Sequence, residues 1–325
     1  MGCAGRGSQL GATNAQDPRE LREGHEKATN DLRMKIATAP VNWNSPDVPE
    51  YRPWTPYPQL LKEMQKAGYS ATEWGTNMPK DPALLGPDLD AHGLQMLGGF
   101  VGIELRNPAK RETEVQRGLE IGNYFKSLGG NYLIAADSGD KSRVQLAGRV
   151  GAEDGLSDLQ WKSLCAGLNE LGQLLKGNGV QLVFHNHVGT YIETEAETSR
   201  LLDGTDPSAV GWCLDCGHLT YGGGNTLHML SKYGDRVGYV HIKDVDEQLL
   251  RTSREAGWSF YDALKKFIFV RLGEGMVNIP AVIRALKVHR YDGWLVVEQD
   301  TTSENPTEIA RENRIYLEKL LQSET

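Results

Sequence analysis

Cysteine is scarce, and long apolar runs are missing altogether. Four cysteines in 325 residues (Cys3, Cys165, Cys213 and Cys216) do not make the disulfide framework of a secreted scaffold. They point to a reducing compartment, so the expected location is the cytoplasm. No apolar stretch reaches the roughly 18–20 residues that a membrane-crossing helix requires, and no membrane partner is expected. Positive charge is also in deficit. Lys and Arg number 35 against 43 Asp and Glu, a formal net charge of −8. Phosphate-rich partners favour a basic surface, so no nucleic-acid partner is expected either. The opening residues lack the apolar core of a secretory signal. Arg6 also stands where a myristoylation motif starting at Gly2 needs Ser or Thr.

What is present reads as an ordinary globular chain, with 39% hydrophobic and 24% charged residues. Its length suits two average domains or one large barrel. Residues 1–33 are polar and poor in aliphatic side chains, and read as an N-terminal extension, disordered or loosely helical. From Met34, which would be a natural protein start, apolar β-branched runs alternate with helical patterns to the end. MKIATAP, YSATEWG, GLQMLGGFVGI, NYLIAAD, GVQLVFH, VGWCLD, RVGYVHI and DGWLVVE read as eight strands. The helices between them carry recognisable ends: Ser157 caps the longest, with Gly177 as its stop, and Thr194 with Glu197 fits a capping box. Residues 244–278 read as one long loop, which at that length is more often functional than incidental. Eight strands alternating with about eight helices predict a (β/α)8 TIM barrel for residues 34–325. A doubly wound sheet would also alternate, but no Gly-rich phosphate fingerprint follows the first strand.

Four of the late strands end on side chains capable of chemistry. The fifth closes on His185-Asn186-His187, the sixth on Asp215 with His218 three residues on, the seventh on His241 and Lys243, the eighth on Glu298 and Asp300. Residues two apart in a strand share a face, so each pair is expected to point into the barrel together. Catalytic groups of this fold sit at the C-terminal strand ends, where these residues fall. Imidazoles and carboxylates buried together are costly unless something compensates them. A divalent cation does so, and mixed nitrogen and oxygen donors suit Mn or Co, with Zn, Mg and Fe as alternatives. Glu73 ends the second strand and is a further acid–base candidate. Asn42, Trp43 and Tyr191 lie at loop positions suited to binding a flat or polyhydroxylated ligand. Cys213 and Cys216 form a C-x-x-C, but no second pair accompanies it, so a zinc ribbon is not expected.

Taken together, PVNW, FHNHVGTYIET, LDCGH, VHIKDV, LGEGMVNIPAVI and DGWLVVEQD resemble the inosose dehydratases of the xylose-isomerase-like TIM-barrel superfamily. The resemblance runs from about Met34 to Leu321. It implies a metal site on the tips of strands five to eight, drawn in the superfamily from Glu, Asp, His and Glu. Asp215, His241 and Glu298 match the last three, whereas His185 stands at the strand-five position. That departure weighs against a symmetric two-carboxylate epimerase and favours elimination of water. The implied activity is metal-dependent dehydration of a cyclic polyhydroxy ketone such as 2-keto-myo-inositol, with Lys243 and His187 as acid–base candidates and His218 as a substrate contact. The implied partner is therefore a small polyol or keto-sugar, and a homo-oligomer is left open. Alternatives on the same site are a keto-sugar isomerase or epimerase, or a 3-keto-glycoside lyase. A non-catalytic sugar-binding barrel is the alternative from another class.

Overall fold

The computed structural model describes residues 1–2 and 34–323. The expectation for residues 1–33 therefore falls almost wholly outside the described residues. Eight parallel strands close into a barrel in the order β1-β10-β7-β6-β5-β4-β3-β2. They are β1 (Lys35–Thr38), β2 (Ala71–Trp74), β3 (Gln95–Ile103), β4 (Tyr132–Asp137), β5 (Gln181–His185), β6 (Val210–Asp215), β7 (Val237–Ile242) and β10 (Trp294–Val297). A short antiparallel pair, β8 (Asp244–Val245) with β9 (Phe269–Val270), lies between β7 and β10 in the chain. The barrel and its strand count agree with the sequence.

Two cores follow from the period-2 pattern. Inside the barrel pack Ala37, Ala71, Leu97, Ile134, Val183, Cys213, Tyr239 and Val296, one from each strand. Outside it, the alternate strand residues meet apolar helix faces. Examples are Leu164, Leu168, Leu171 and Leu175 of the helix Asp158–Gly177, and Ile279, Val282, Ile283 and Leu286 of the helix Ile279–Val288. The capping expectations hold: Ser157 and Gln160 form a reciprocal capping box, as do Thr194 and Glu197. The longest helix runs through Gly177 itself; its C-cap is Asn178, one residue later than expected, and the left-handed residue beyond is Gly179 (φ 74°).

The expected long loop is a correction. Residues 244–278 fold into β8, a helix at Glu247–Ala256, a second at Phe260–Lys265, and β9. Both helices have ordinary start signals: Asp246 accepts from Leu249 N at 2.7 Å, and Ser259 with Asp262 forms a capping box. The first ends on Gly257, left-handed at φ 67°.

Asp244 organises the last stretch of that excursion. Its buried carboxylate accepts from the backbone N–H groups of Val245, Gly273, Gly275 and Val277, at 2.9, 2.9, 3.0 and 2.9 Å. The LGEGMV turn is thus wound around one side chain. Removing it would strand several buried donors, each costing about 1–3 kcal/mol. Asp244→Ala is therefore expected to lower the unfolding free energy by about 2–4 kcal/mol in urea denaturation. An unchanged midpoint and slope would show that the turn holds itself.

Candidate functional site

One residue position above the barrel core, the inward faces turn polar. His185 lies two residues beyond Val183, Asp215 beyond Cys213, His241 beyond Tyr239, Glu298 beyond Val296 and Glu73 beyond Ala71. Strand alternation carries them to the C-terminal end of the barrel, where Glu73, His185, His241 and Glu298 line a cavity of about 300 Å³ and Asp215 is fully buried.

The strand tips meet closely. His185 Nε2 lies 3.1 Å from His241 Nδ1 and 3.3 Å from Asp215 Oδ2, and His241 Nδ1 lies 3.2 Å from Glu298 Oε2. One donor atom from each of His185, Asp215, His241 and Glu298 falls within 4.8 Å of all the others. Ligands about 2.1 Å from a shared ion stand apart by distances of this order. Asp215 Oδ2 is buried and makes no hydrogen bond, while the carboxylate's other oxygen caps the next short helix through His218 N at 2.7 Å. An orphaned anionic oxygen among two imidazoles and a second carboxylate fits a divalent cation well.

Asn186, between the two histidines, sets the register of this floor. Its side chain accepts from Trp212 Nε1 at 3.0 Å and donates to Asp215 O at 3.1 Å, fastening the end of β5 to β6. Glu73 accepts from His241 Nε2 at 2.8 Å, leaving Nδ1 turned toward the donor cluster. A carboxylate behind a histidine in this way fixes both its tautomer and its ring orientation.

Lys243 is almost completely buried, with Nζ 2.7 Å from Asp300, 3.1 Å from Glu298 and 3.7 Å from Asp215. Burial works against its charge, but Asp300, Glu298 and Asp215 outweigh it and hold the pKa well above the ordinary lysine value. Burial also opposes the charge of Glu298, yet His241 and Lys243 bring its pKa down to about 2. Burial of Asp300, by contrast, prevails over its contact with Lys243 and raises its pKa to about 7.

His187 lies just past β5, its ring 4.0 Å from that of His218 and 5.4 Å from that of His185. Burial first, and the neighbouring His185 second, push its pKa down to about 3. Its Nδ1 is 2.7 Å from the carbonyl of Val188, which can only accept. The proton of the neutral ring therefore sits on Nδ1, and Nε2 keeps a free lone pair. His218 Nε2 approaches Lys243 Nζ to 3.1 Å, and burial, with His187 and Lys243, holds that ring well below the usual histidine pKa.

The structure brings His185, His241, Glu298, Lys243, His187, His218 and Glu73 to the walls of one cavity, with the fully buried Asp215 grouped with His185, His241 and Glu298. It does not bring Asn42, Trp43 or Tyr191 there. Asn42 donates to Thr38 Oγ1 and Val297 O, at 2.8 and 2.9 Å, joining β1 to β10. Trp43 is buried and donates to Thr307 Oγ1 at 3.0 Å. Tyr191 bonds Asp140 at 2.7 Å, with the guanidiniums of Arg106 and Arg143 4.9 and 5.0 Å from its ring centre. All three fasten one part of the chain to another, Asn42 from a short 3-10 helix and Trp43 and Tyr191 from the turns that follow strands, and composition cannot distinguish such a role from a ligand contact. The cavity walls instead carry Phe100, Phe260, Asp47, Asn77 and Ser138, which sequence reasoning missed. Phe260 follows a capping-box serine inside the supposed loop, a signal that was there to read.

Comparison with known proteins agrees with this geometry. The family model described as xylose isomerase-like TIM barrel matches residues 61–320. An inosose dehydratase of Lacticaseibacillus casei is 31% identical over 290 residues, covering 88% of this chain and 97% of that protein. The inosose dehydratase of Salmonella agona (strain SL483) is 32% identical over 294 residues, covering 89% and 97%. Among solved structures, the IolI protein with a bound zinc atom superposes with a TM-score of 0.67 at 16% identity, covering 89% of this chain and 99% of that one, a likeness of fold. No helix among the described residues is long and apolar enough to cross a membrane. With a closed eight-stranded barrel, a matching family model and relatives above 30% identity along nearly their whole length, the chain belongs to the xylose isomerase-like TIM barrel family and, within it, to the inosose dehydratases.

Proposed function

We propose that the chain eliminates water from a cyclic polyhydroxy ketone, with 2-keto-myo-inositol as the compound to try first. The observation that carries this reading is a neutral imidazole and a charged amine flanking one donor cluster in one cavity. His185, Asp215, His241 and Glu298 would hold a divalent ion, Mn or Co by the balance of nitrogen and oxygen donors. Zn, Mg and Fe are the alternatives, and the relative in fold named above carries zinc. Bound there, the ion supplies Lewis acidity next to the C–H bond that must break.

The chain's own residues divide the proton work. His187, with Nδ1 committed to the carbonyl of Val188, offers the lone pair of Nε2 as the base that removes the proton beside the substrate carbonyl. Lys243, kept charged by Asp300 and Glu298, supplies the proton that lets the β-hydroxyl depart as water. As the C–H and C–O bonds break, the carbon–carbon double bond forms between them. Glu73 is occupied by His241 and serves to orient it rather than to move a substrate proton. Asp47, Asn77 and Ser138 offer hydrogen bonds to the remaining hydroxyl groups. Residues 34–325 are the catalytic domain in this reading. A cytoplasmic location is in keeping with the free thiols of Cys165, Cys213 and Cys216.

The purified protein, reconstituted with Mn²⁺ or Co²⁺, is expected to convert 2-keto-myo-inositol into an ultraviolet-absorbing conjugated product. Interconversion of keto-sugars without that absorbance would replace the dehydratase reading with an isomerase one.

A further inference from the structure

Phe100 is 41% exposed, a large apolar side chain left uncovered on a strand of the barrel. Simple alternation from Leu97, which points inward, would turn Phe100 out toward the helices. It does not, because β3 carries one extra residue against β2. Thr72 pairs with Met96 and Trp74 with Gly99, so two residues of β2 face three of β3. A bulge of this kind shifts every later side chain to the opposite face. Phe100 consequently pairs with inward Ile134. Its ring stands 5.7 Å from that of His185 and 5.6 Å from that of His187.

Gly98 makes the bulge sterically feasible. A Cβ at that position would lie 2.0 Å from the carbonyl oxygen of Tyr132 on the neighbouring strand. The cavity therefore has an aromatic wall built by a backbone irregularity, above a floor of imidazoles and carboxylates. Phe260 adds a second ring, 5.6 Å from His187 on the same cavity wall system. Asp47 and Asn77 line the cavity as well and give it polar edges. An exposed ring with polar edges nearby matches the surface of a polyhydroxylated six-membered ring, whose C–H groups form apolar faces and whose hydroxyls form the rim.

We infer that Phe100 is the platform on which the apolar face of a cyclic substrate rests, and that the Gly98 bulge exists to place it there. This rests on the reading of the cavity as a keto-polyol site. Phe100 then selects for ring-shaped over open-chain polyhydroxy ketones, since only a ring presents a continuous apolar face.

The test uses the metal-loaded full chain with 2-keto-myo-inositol and with erythrulose, a four-carbon ketose too short to close a stable ring. Phe100→Ala is expected to raise KM for the cyclic ketone about tenfold with little change in kcat, and Phe100→Tyr to restore it. Metal content should be unchanged in both variants, and the preference for the cyclic ketone over erythrulose should fall in the alanine variant. Titration calorimetry with the same two ketones reads the binding independently of turnover. If wild type binds the cyclic ketone without converting it and Phe100→Ala weakens that binding tenfold, the dehydratase reading fails and the platform stands. If Phe100→Ala binds as wild type does, or wild type binds no cyclic ketone, the platform is overturned. Gly98→Ala is a second variant. If folded with its metal intact, it should reproduce the KM defect by turning Phe100 away.

Discussion

Asp215→Asn and Glu298→Gln proteins are expected to purify folded with little or no bound divalent metal, and to lose at least a thousandfold in turnover. Each substitution removes one negative charge from a set of two carboxylates and two imidazoles, while changing side-chain volume hardly at all. Affinity for a hard divalent ion depends on that charge, because neutral amide oxygen is a much weaker donor. Asp215 is the sharper test of the two. One of its oxygens caps a helix through His218 N, and an amide oxygen can keep that bond. The other is buried without a partner, and the substitution strikes that atom. Metal content by elemental analysis and midpoint in thermal unfolding separate loss of the ion from loss of the fold. A fully metallated, active Asp215→Asn protein would rule out the strand-tip site.

Lys243→Met is expected to retain metal yet lose about 10²–10⁴-fold in kcat, the usual worth of one positioned proton donor. Its amine is buried among Asp300, Glu298 and Asp215, so removing it also leaves anionic charge unpaired. Part of that charge is compensated by the bound ion, so the metallated variant should fold where the metal-free one is weakened. His187→Gln provides the comparison. It removes the neutral base and disturbs no ion pair, and the glutamine amide can still donate to the Val188 carbonyl, so it should depress kcat to a similar extent at a smaller cost in stability than Lys243→Met. Near-normal turnover in both variants would overturn the assignment of acid and base. Loss in Lys243→Met alone, with metal released, would make Lys243 a structural counter-ion instead.

How much of this was legible beforehand depends on the range of the interaction. Strand positions, the barrel count and the convergence of His185, Asp215, His241 and Glu298 follow from alternation, because two-residue spacing puts Val183 and His185, or Val296 and Glu298, on one face whatever their surroundings. Helix starts at Ser157 and Thr194 were equally local, since a cap bonds only two or three residues ahead. Asp246 and Ser259 carry the same local code for the two helices within 244–278, a stretch that reads as a loop only when its length is weighed ahead of its caps. The family likeness rested on short blocks such as LDCGH and VHIKDV, whose residues lie within one strand tip each.

The remaining features belong to the tertiary structure. Whether Asn42, Trp43 and Tyr191 face a ligand or fasten a strand is decided by Val297, Thr307 and Asp140, far away in sequence. The proton on His187 is assigned by a backbone carbonyl that the ring meets only once the loop is folded. Phe100 is turned into the cavity by a register slip between two strands, and pairing register is a property of both strands together. Sequence by itself determined which side chains alternate onto a common face and hence where the polar floor lies. Only the closed barrel decided which atoms on that floor remain unpaired, which are protonated, and which aromatic ring stands over them, because each of those depends on partners brought together by long-range packing.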